Sequence, residues 1–128
     1  VAAKKLTVST PDAAPPGGPY SQGVVAGDFV YIAGCTPHLT DGSLLEGTFE
    51  EQTRAAFANL AAIAHAAGAT LADAVQARVY LRDLDDFQEM NGLFAEFFGD
   101  EPPARTTLQA DLPGFAVEID AVLYAPKG

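Results

Sequence analysis

Tryptophan is absent from this chain of 128 residues, and cysteine and methionine occur once each. The lone cysteine, Cys35, excludes an internal disulfide and gives no sign of an oxidising compartment. Cations are scarce too: 7 Lys and Arg stand against 17 Asp and Glu, a net charge of −10. No basic run offsets that balance, so RNA or another polyanion meets repulsion over most of the surface. No stretch approaches the roughly 20 apolar residues that a membrane helix needs. The N-terminal run Val1 to Val8 holds no apolar segment of signal-peptide length. A soluble, cytoplasmic protein without nucleic-acid or membrane partners is therefore expected. A Gly-rich phosphate loop, a nucleophile elbow and a zinc-ligand spacing are all missing, and His38 and His65 stand far apart. The expectation is a chain free of metal and cofactor.

What is present suits a globular chain, with 48% hydrophobic and 19% charged residues and a length that fits one domain over 1–128. Lys4 to Ser9 alternates Leu6 and Val8 with Lys5 and Thr7, as a first strand does. Pro11 to Pro19, rich in proline and glycine, is a structured loop. Ser21–Val25 and Phe29–Ala33 read as strands of a tight hairpin closed by Ala26-Gly27-Asp28. Thr48-Phe49-Glu50-Glu51 has the spacing of a capping box. Phe49, Thr53, Ala56, Phe57, Leu60, Ile63, Ala64 and Ala67 then follow at helical steps up to Gly68. Ala74–Leu84 alternates as a strand, with Val75, Ala77, Val79 and Leu81 on one face and Gln76, Arg78, Tyr80 and Arg82 on the other. Asp86-Phe87-Gln88-Glu89 repeats the capping pattern before a second helical stripe of Phe87, Met90, Asn91, Phe94, Phe97 and Phe98 that ends at Gly99.

Pro103 to Asp120 concentrates the candidate chemistry. It reads as two strands joined at Leu112-Pro113-Gly114, with Arg105 at the start of the first and Glu118 in the second between Val117 and Ile119. A hairpin folded there brings a guanidinium near a carboxylate, which also fits a plain cross-strand ion pair. The element order is then β-β-β-α-β-α-β-β. That predicts an α+β fold with one mixed sheet, two helices packed on one face and crossover connections. The uncovered face, carrying Tyr31, Arg78 and Tyr80, is too aromatic and cationic for bland solvent and reads as a subunit interface.

Several motifs recur together in one order: Gly18-Pro19-Tyr20-Ser21-Gln22-Gly23, Tyr31-Ile32-Ala33-Gly34, Asp86-Phe87 through Asn91, Pro103-Ala104-Arg105 and Val117-Glu118-Ile119. In this the chain resembles the RidA/YjgF family of enamine and imine deaminases from about Pro19 to Ala121. The resemblance implies a chorismate-mutase-like fold, a homotrimer with clefts between subunits, and cofactor-free hydrolysis of intermediates such as 2-aminoacrylate to 2-keto acids and ammonia. It places the carboxylate-binding arginine at Arg105 and the catalytic glutamate at Glu118. It also places a cleft tyrosine at Tyr20, a strand-end glycine at Gly34 and a helix asparagine at Asn91. Thr107 stands where cysteine is common in the family and Cys35 where glutamine is, and the segment from Arg105 to Glu118 is shortened.

An imine beside a carboxylate asks for a fixed cation, a base that positions water, and donors for the tetrahedral intermediate. Arg105 and Glu118 suit the first two, with the guanidinium expected to lower the glutamate's pKa. Backbone groups near Gly34 and Thr107, with the Tyr20 hydroxyl, are candidates for the third. Cys35 reads as a small buried hydrophobe rather than a nucleophile. The leading function is therefore a 2-iminobutanoate/2-iminopropanoate-type deaminase. The alternatives are a specialised catabolic deaminase acting on aminomuconate- or ureidoacrylate-like compounds and a non-catalytic keto- or imino-acid-binding module. The charge disfavours an endoribonuclease.

Overall fold

The computed structural model describes residues 4–126; residues 1–3 and 127–128 of the expected domain lie outside the described residues. Its strands are β1 (Leu6–Val8), β2 (Gly23–Ala26), β3 (Phe29–Cys35), β4 (Ala74–Leu81), β5 (Ala104–Gln109) and β6 (Val117–Tyr124). The helices are α1 (Phe49–Ala66) and α2 (Phe87–Phe98), each joined to β4 through a short 3₁₀ turn, Leu71–Asp73 on one side and Leu84–Asp86 on the other. This is the expected α+β order.

α1 starts where its capping box says it should. The Thr48 hydroxyl accepts from the Glu51 amide at 3.2 Å, and the Glu51 carboxylate accepts from the Thr48 amide at 2.9 Å. α2 starts differently from the expectation. Asp86 forms no side-chain cap, because the 3₁₀ turn runs straight into the helix and leaves Asp86 with φ −84° and ψ 3° rather than extended. The capping acid is Asp83, whose side chain accepts from the Asp85 amide at 2.9 Å.

The strands form one six-stranded sheet in the order β1-β2-β3-β6-β4-β5. Only β4 and β5 pair in parallel; β6 lies antiparallel to both β3 and β4. The Gly27-Asp28 loop closes the first hairpin as expected, with Gly27 at φ 58°. The expected hairpin between the last two strands does not form. β6 is buried at every second residue, Val117, Ile119, Ala121 and Leu123, and needs a partner on each side, so it occupies the middle of the sheet. β5 carries Arg-Thr-Thr, has no fully buried residue and takes the edge beside β4.

The alternation expected for β4 holds for Ala77, Val79 and Leu81 but not for Val75, which is exposed. An irregularity against β6 between Ala74 and Gln76 turns Val75 outward and lets Ala74 fill the inward place. The core lies between the sheet and the two helices. At its centre the buried Phe57 ring meets Phe94, Phe97 and Phe98 edge-on, with centroids 5.1–6.1 Å away. Phe57→Ala is expected to cost about 3–5 kcal/mol in urea unfolding. A loss under about 1 kcal/mol would mean that this cluster is not packed as described.

Candidate active site

Arg105 lies on the helix side of β5. Its Nη2 donates to Asn91 Oδ1 at 2.7 Å, and its guanidinium carbon stands 4.8 Å from the Phe94 ring centre and 5.5 Å from that of Phe87. Burial pulls its pKa down, and among the described residues no carboxylate pairs with it. Thr107 shares this side, with Oγ1 buried and without a hydrogen-bond partner. α2 thus supplies an aromatic floor and an amide that together hold one uncommitted cation.

Glu118 lies on the opposite, open side of the sheet, since its neighbours Val117 and Ile119 point into the core. A β-bulge in β3 between Ile32 and Cys35 swings Gly34 toward it. The approach is so close that a Cβ at Gly34 would overlap the Glu118 carboxylate. Arg78 donates to Asp120 at 3.0 Å, and the Tyr80 hydroxyl donates to the same carboxylate at 3.4 Å. The Glu118 carboxylate has no hydrogen-bond partner among the described residues. Tyr20 is exposed, and its hydroxyl accepts from the Gly17 amide at 3.0 Å. Cys35 is buried, its thiol donating to the Ala33 carbonyl at 3.4 Å. Burial, with help from Glu118 and Asp120, pushes that thiol up to about 12, which keeps it protonated and unreactive at neutral pH.

The expected residues therefore do not form one cluster: Arg105, Asn91 and Thr107 share the helix side, Gly34 and Glu118 meet on the open side, Tyr20 stands exposed in the loop before β2, and Cys35 is buried in the core. Arg105 is in register with Ala77 and Ala121, while Glu118 is in register with Tyr80. With β4 between them, their backbones are about 14 Å apart by strand spacing and rise, and the side chains leave opposite faces. The guanidinium consequently does not lower the glutamate's pKa within one chain. Burial raises it instead, and the Asp120 charge raises it further.

The sequence profile of the family described as Endoribonuclease L-PSP matches residues 10–125. The chain belongs to this RidA/YjgF family. A RutC family protein of Pyrococcus horikoshii is 41% identical over 123 residues, spanning 94% of this chain and 98% of that protein. A protein of Dermatophagoides farinae named 2-iminobutanoate/2-iminopropanoate deaminase is 36% identical over 122 residues, spanning 93% and 95%. The crystal structure of RidA from the Antarctic bacterium Psychrobacter sp. PAMC 21119 superposes with a TM-score of 0.87 at 38% identity, over 93% of this chain and 98% of that one. No helix among the described residues is long and apolar enough to cross a membrane.

In this RidA/YjgF chain, buried amides hold the loops next to Tyr20, Gly34 and Phe115, a role that the sequence reading did not give them. Asn59 accepts from the Ala14 amide at 3.0 Å and donates to the Thr36 and His38 carbonyls at 3.0 and 2.8 Å. Gln22 links Thr10 to Ala14, and Gln52 links Leu45 to Ala116. Their signal was present: Gln52 and Asn59 lie on the inward face of α1 among Ala56, Leu60 and Ile63. The cause given above for the raised Glu118 pKa can be checked by ¹³C NMR titration of its side-chain carboxyl. Asp120→Asn removes a neighbouring charge and should lower the midpoint; an unmoved midpoint would remove Asp120 as a cause.

Proposed function

We propose that this protein hydrolyses small enamines and imines bearing an adjacent carboxylate, of the 2-aminoacrylate/2-iminopropanoate and 2-iminobutanoate type, to 2-keto acids and ammonia. The observation that carries this reading is a pair of opposite, half-buried ions, Arg105 and Glu118, neither of which is neutralised by another charge among the described residues. A structural ion pair would have consumed both. Arg105, its fork fixed by Asn91 and stacked over Phe94, takes the substrate carboxylate.

Glu118 removes a proton from water as its oxygen attacks the imine carbon. The C=N π electrons move to nitrogen, and Glu118 returns the proton to it, giving a neutral carbinolamine; Glu118 then takes the carbinolamine hydroxyl proton and passes it to nitrogen, so that the C–N bond breaks, ammonia leaves, the C=O forms and Glu118 is again ionised. A carboxylate with a raised pKa suits this exchange in both directions. The Tyr20 hydroxyl and backbone groups beside Gly34 take the third role, donating to the developing intermediate.

Because the two groups leave opposite faces, the cleft is completed between copies, with Arg105, Asn91 and Thr107 from one and Tyr20, Gly34 and Glu118 from the next. Such a contact joins unlike patches, and a closed ring of three copies satisfies it. The open face offers the apolar area, with Phe29, Tyr31, Leu108 and Tyr124 exposed. The deaminase name of the Dermatophagoides relative supports the same reaction class. The family description mentions an endoribonuclease, but a net charge of −10 opposes RNA binding.

A threonine or serine dehydratase coupled to this protein tests the reaction by the rate of keto-acid release. The wild type should accelerate release, and Arg105→Ala should abolish the acceleration with oligomer size unchanged. Glu118→Gln should still bind a 2-keto acid while turning over on the order of 100-fold more slowly. Full activity in Glu118→Gln would sink its assignment as base.

A further inference from the structure

Gly34 is a glycine that its backbone conformation does not require. It stands inside β3, where glycine ordinarily weakens a strand, and its φ lies outside the left-handed region that Gly27 occupies. The bulge explains where it points. After the inward Ile32, plain alternation would turn Gly34 into the core and Cys35 to the open face. The extra residue reverses this, so that Cys35 is buried, Gly34 is exposed, and the place of its missing Cβ falls on Glu118.

A Cβ built on Gly34 would overlap Oε2 of Glu118 and stand 3.0 Å from Cδ and 3.4 Å from Cγ. Oε1 is the farther oxygen, so one edge of the carboxylate is seated on the strand and the other is left to the open side. The Glu51 carboxylate would also meet a Cβ, at Gly47, but the Thr48 amide holds it. The Glu118 carboxylate has no such bond among the described residues, so packing against Gly34 is what places it. The obstruction at Gly34 is the far end of a side chain and not backbone. A Cβ there therefore displaces the carboxylate outward and leaves the strand in place.

We propose that Gly34 is a positioning residue for Glu118: the space of its absent side chain is the seat that fixes the carboxylate for proton transfer. The proton-transfer role rests on the deaminase reading. The seat does not, because it can be read on the carboxylate alone.

Gly34→Ala, Glu118→Asp and the double variant of the full chain test it, by ¹³C NMR titration of the side-chain carboxyl at position 118 and by imine hydrolysis. The groups around that carboxyl are Asp120 on β6, Tyr80 and Arg78 on β4, and Cys35 on β3, and all are kept. Gly34→Ala moves the carboxylate toward water. Burial is the larger cause of its raised pKa, so the midpoint should fall. The kcat should fall about tenfold to 100-fold, as for a base misplaced by about 1 Å, with KM within about threefold. Glu118→Asp is one methylene shorter and sets its carboxyl carbon where Glu118 Cγ stands, in ordinary contact range of the new Cβ. In that background Gly34→Ala should move the midpoint less than about half as far.

An unmoved Glu118 midpoint in Gly34→Ala overturns the proposal. So does an equal shift in both backgrounds, which would mean that the strand backbone carries the effect. A fallen midpoint with full kcat overturns it too, because the seat would then not serve the reaction. If Gly34→Ala does not fold, the double variant decides: recovery of the fold supports the overlap, and a second failure overturns it. A wild type that hydrolyses no imine overturns the deaminase reading, while a shift confined to the Glu118 background still establishes the seat.

Discussion

The fold depends on one strand being paired on both edges. β6 takes β3 on one side and β4 on the other, and its inward residues Val117, Ile119, Ala121 and Leu123 are all but sealed from solvent. Because the last strand enters between two strands laid down earlier in the chain, the sheet closes only when the C-terminal segment arrives. Non-local pairing of this kind makes closure a late and costly step in loop entropy. The same insertion carries Glu118 to the bulge in β3, so the central strand brings the carboxylate to Gly34 as it completes the sheet.

Local chemistry was legible in the sequence, and long-range pairing was not. Thr48 and Glu51 announce the start of α1 because a capping box uses only residues within one turn. The Phe stripe of α2 and the Gly27 turn are local in the same sense. Leu112-Pro113-Gly114 carries an equally clear turn signal, but a turn does not say which strands it joins in the sheet. The deciding fact is a comparison between strands: β6 is apolar at every inward position and β5 at none that is fully buried. Ordering the strands by how much burial each requires would have put β6 inside and β5 at the edge. Arg105 and Glu118 were both legible as residues of interest, whereas their placement on opposite faces followed from that ordering.

Around the site, rigidity comes from buried amides rather than from regular structure. Asn59, Gln22 and Gln52 each satisfy backbone groups in loops that have no ladder of their own. The Pro-rich segment before Tyr20 and the turn carrying His38 are thereby fastened to the same residue of α1. Loop composition therefore suggests more freedom than these segments have. A helix side chain that looks out of place among alanines and leucines is what fixes them.

The placement of Arg105 and Glu118 on opposite faces reaches beyond the reaction itself. Any small molecule that touches both must touch two copies of the chain at once, and so acts as a molecular crosslink. In the proposed cleft between copies, such a molecule would by mass action tighten the contact between copies as it binds, and that contact would tighten the molecule in return. On that proposal, affinity for the ligand and affinity between copies are two measurements of one equilibrium, and dilution of the protein would weaken both together.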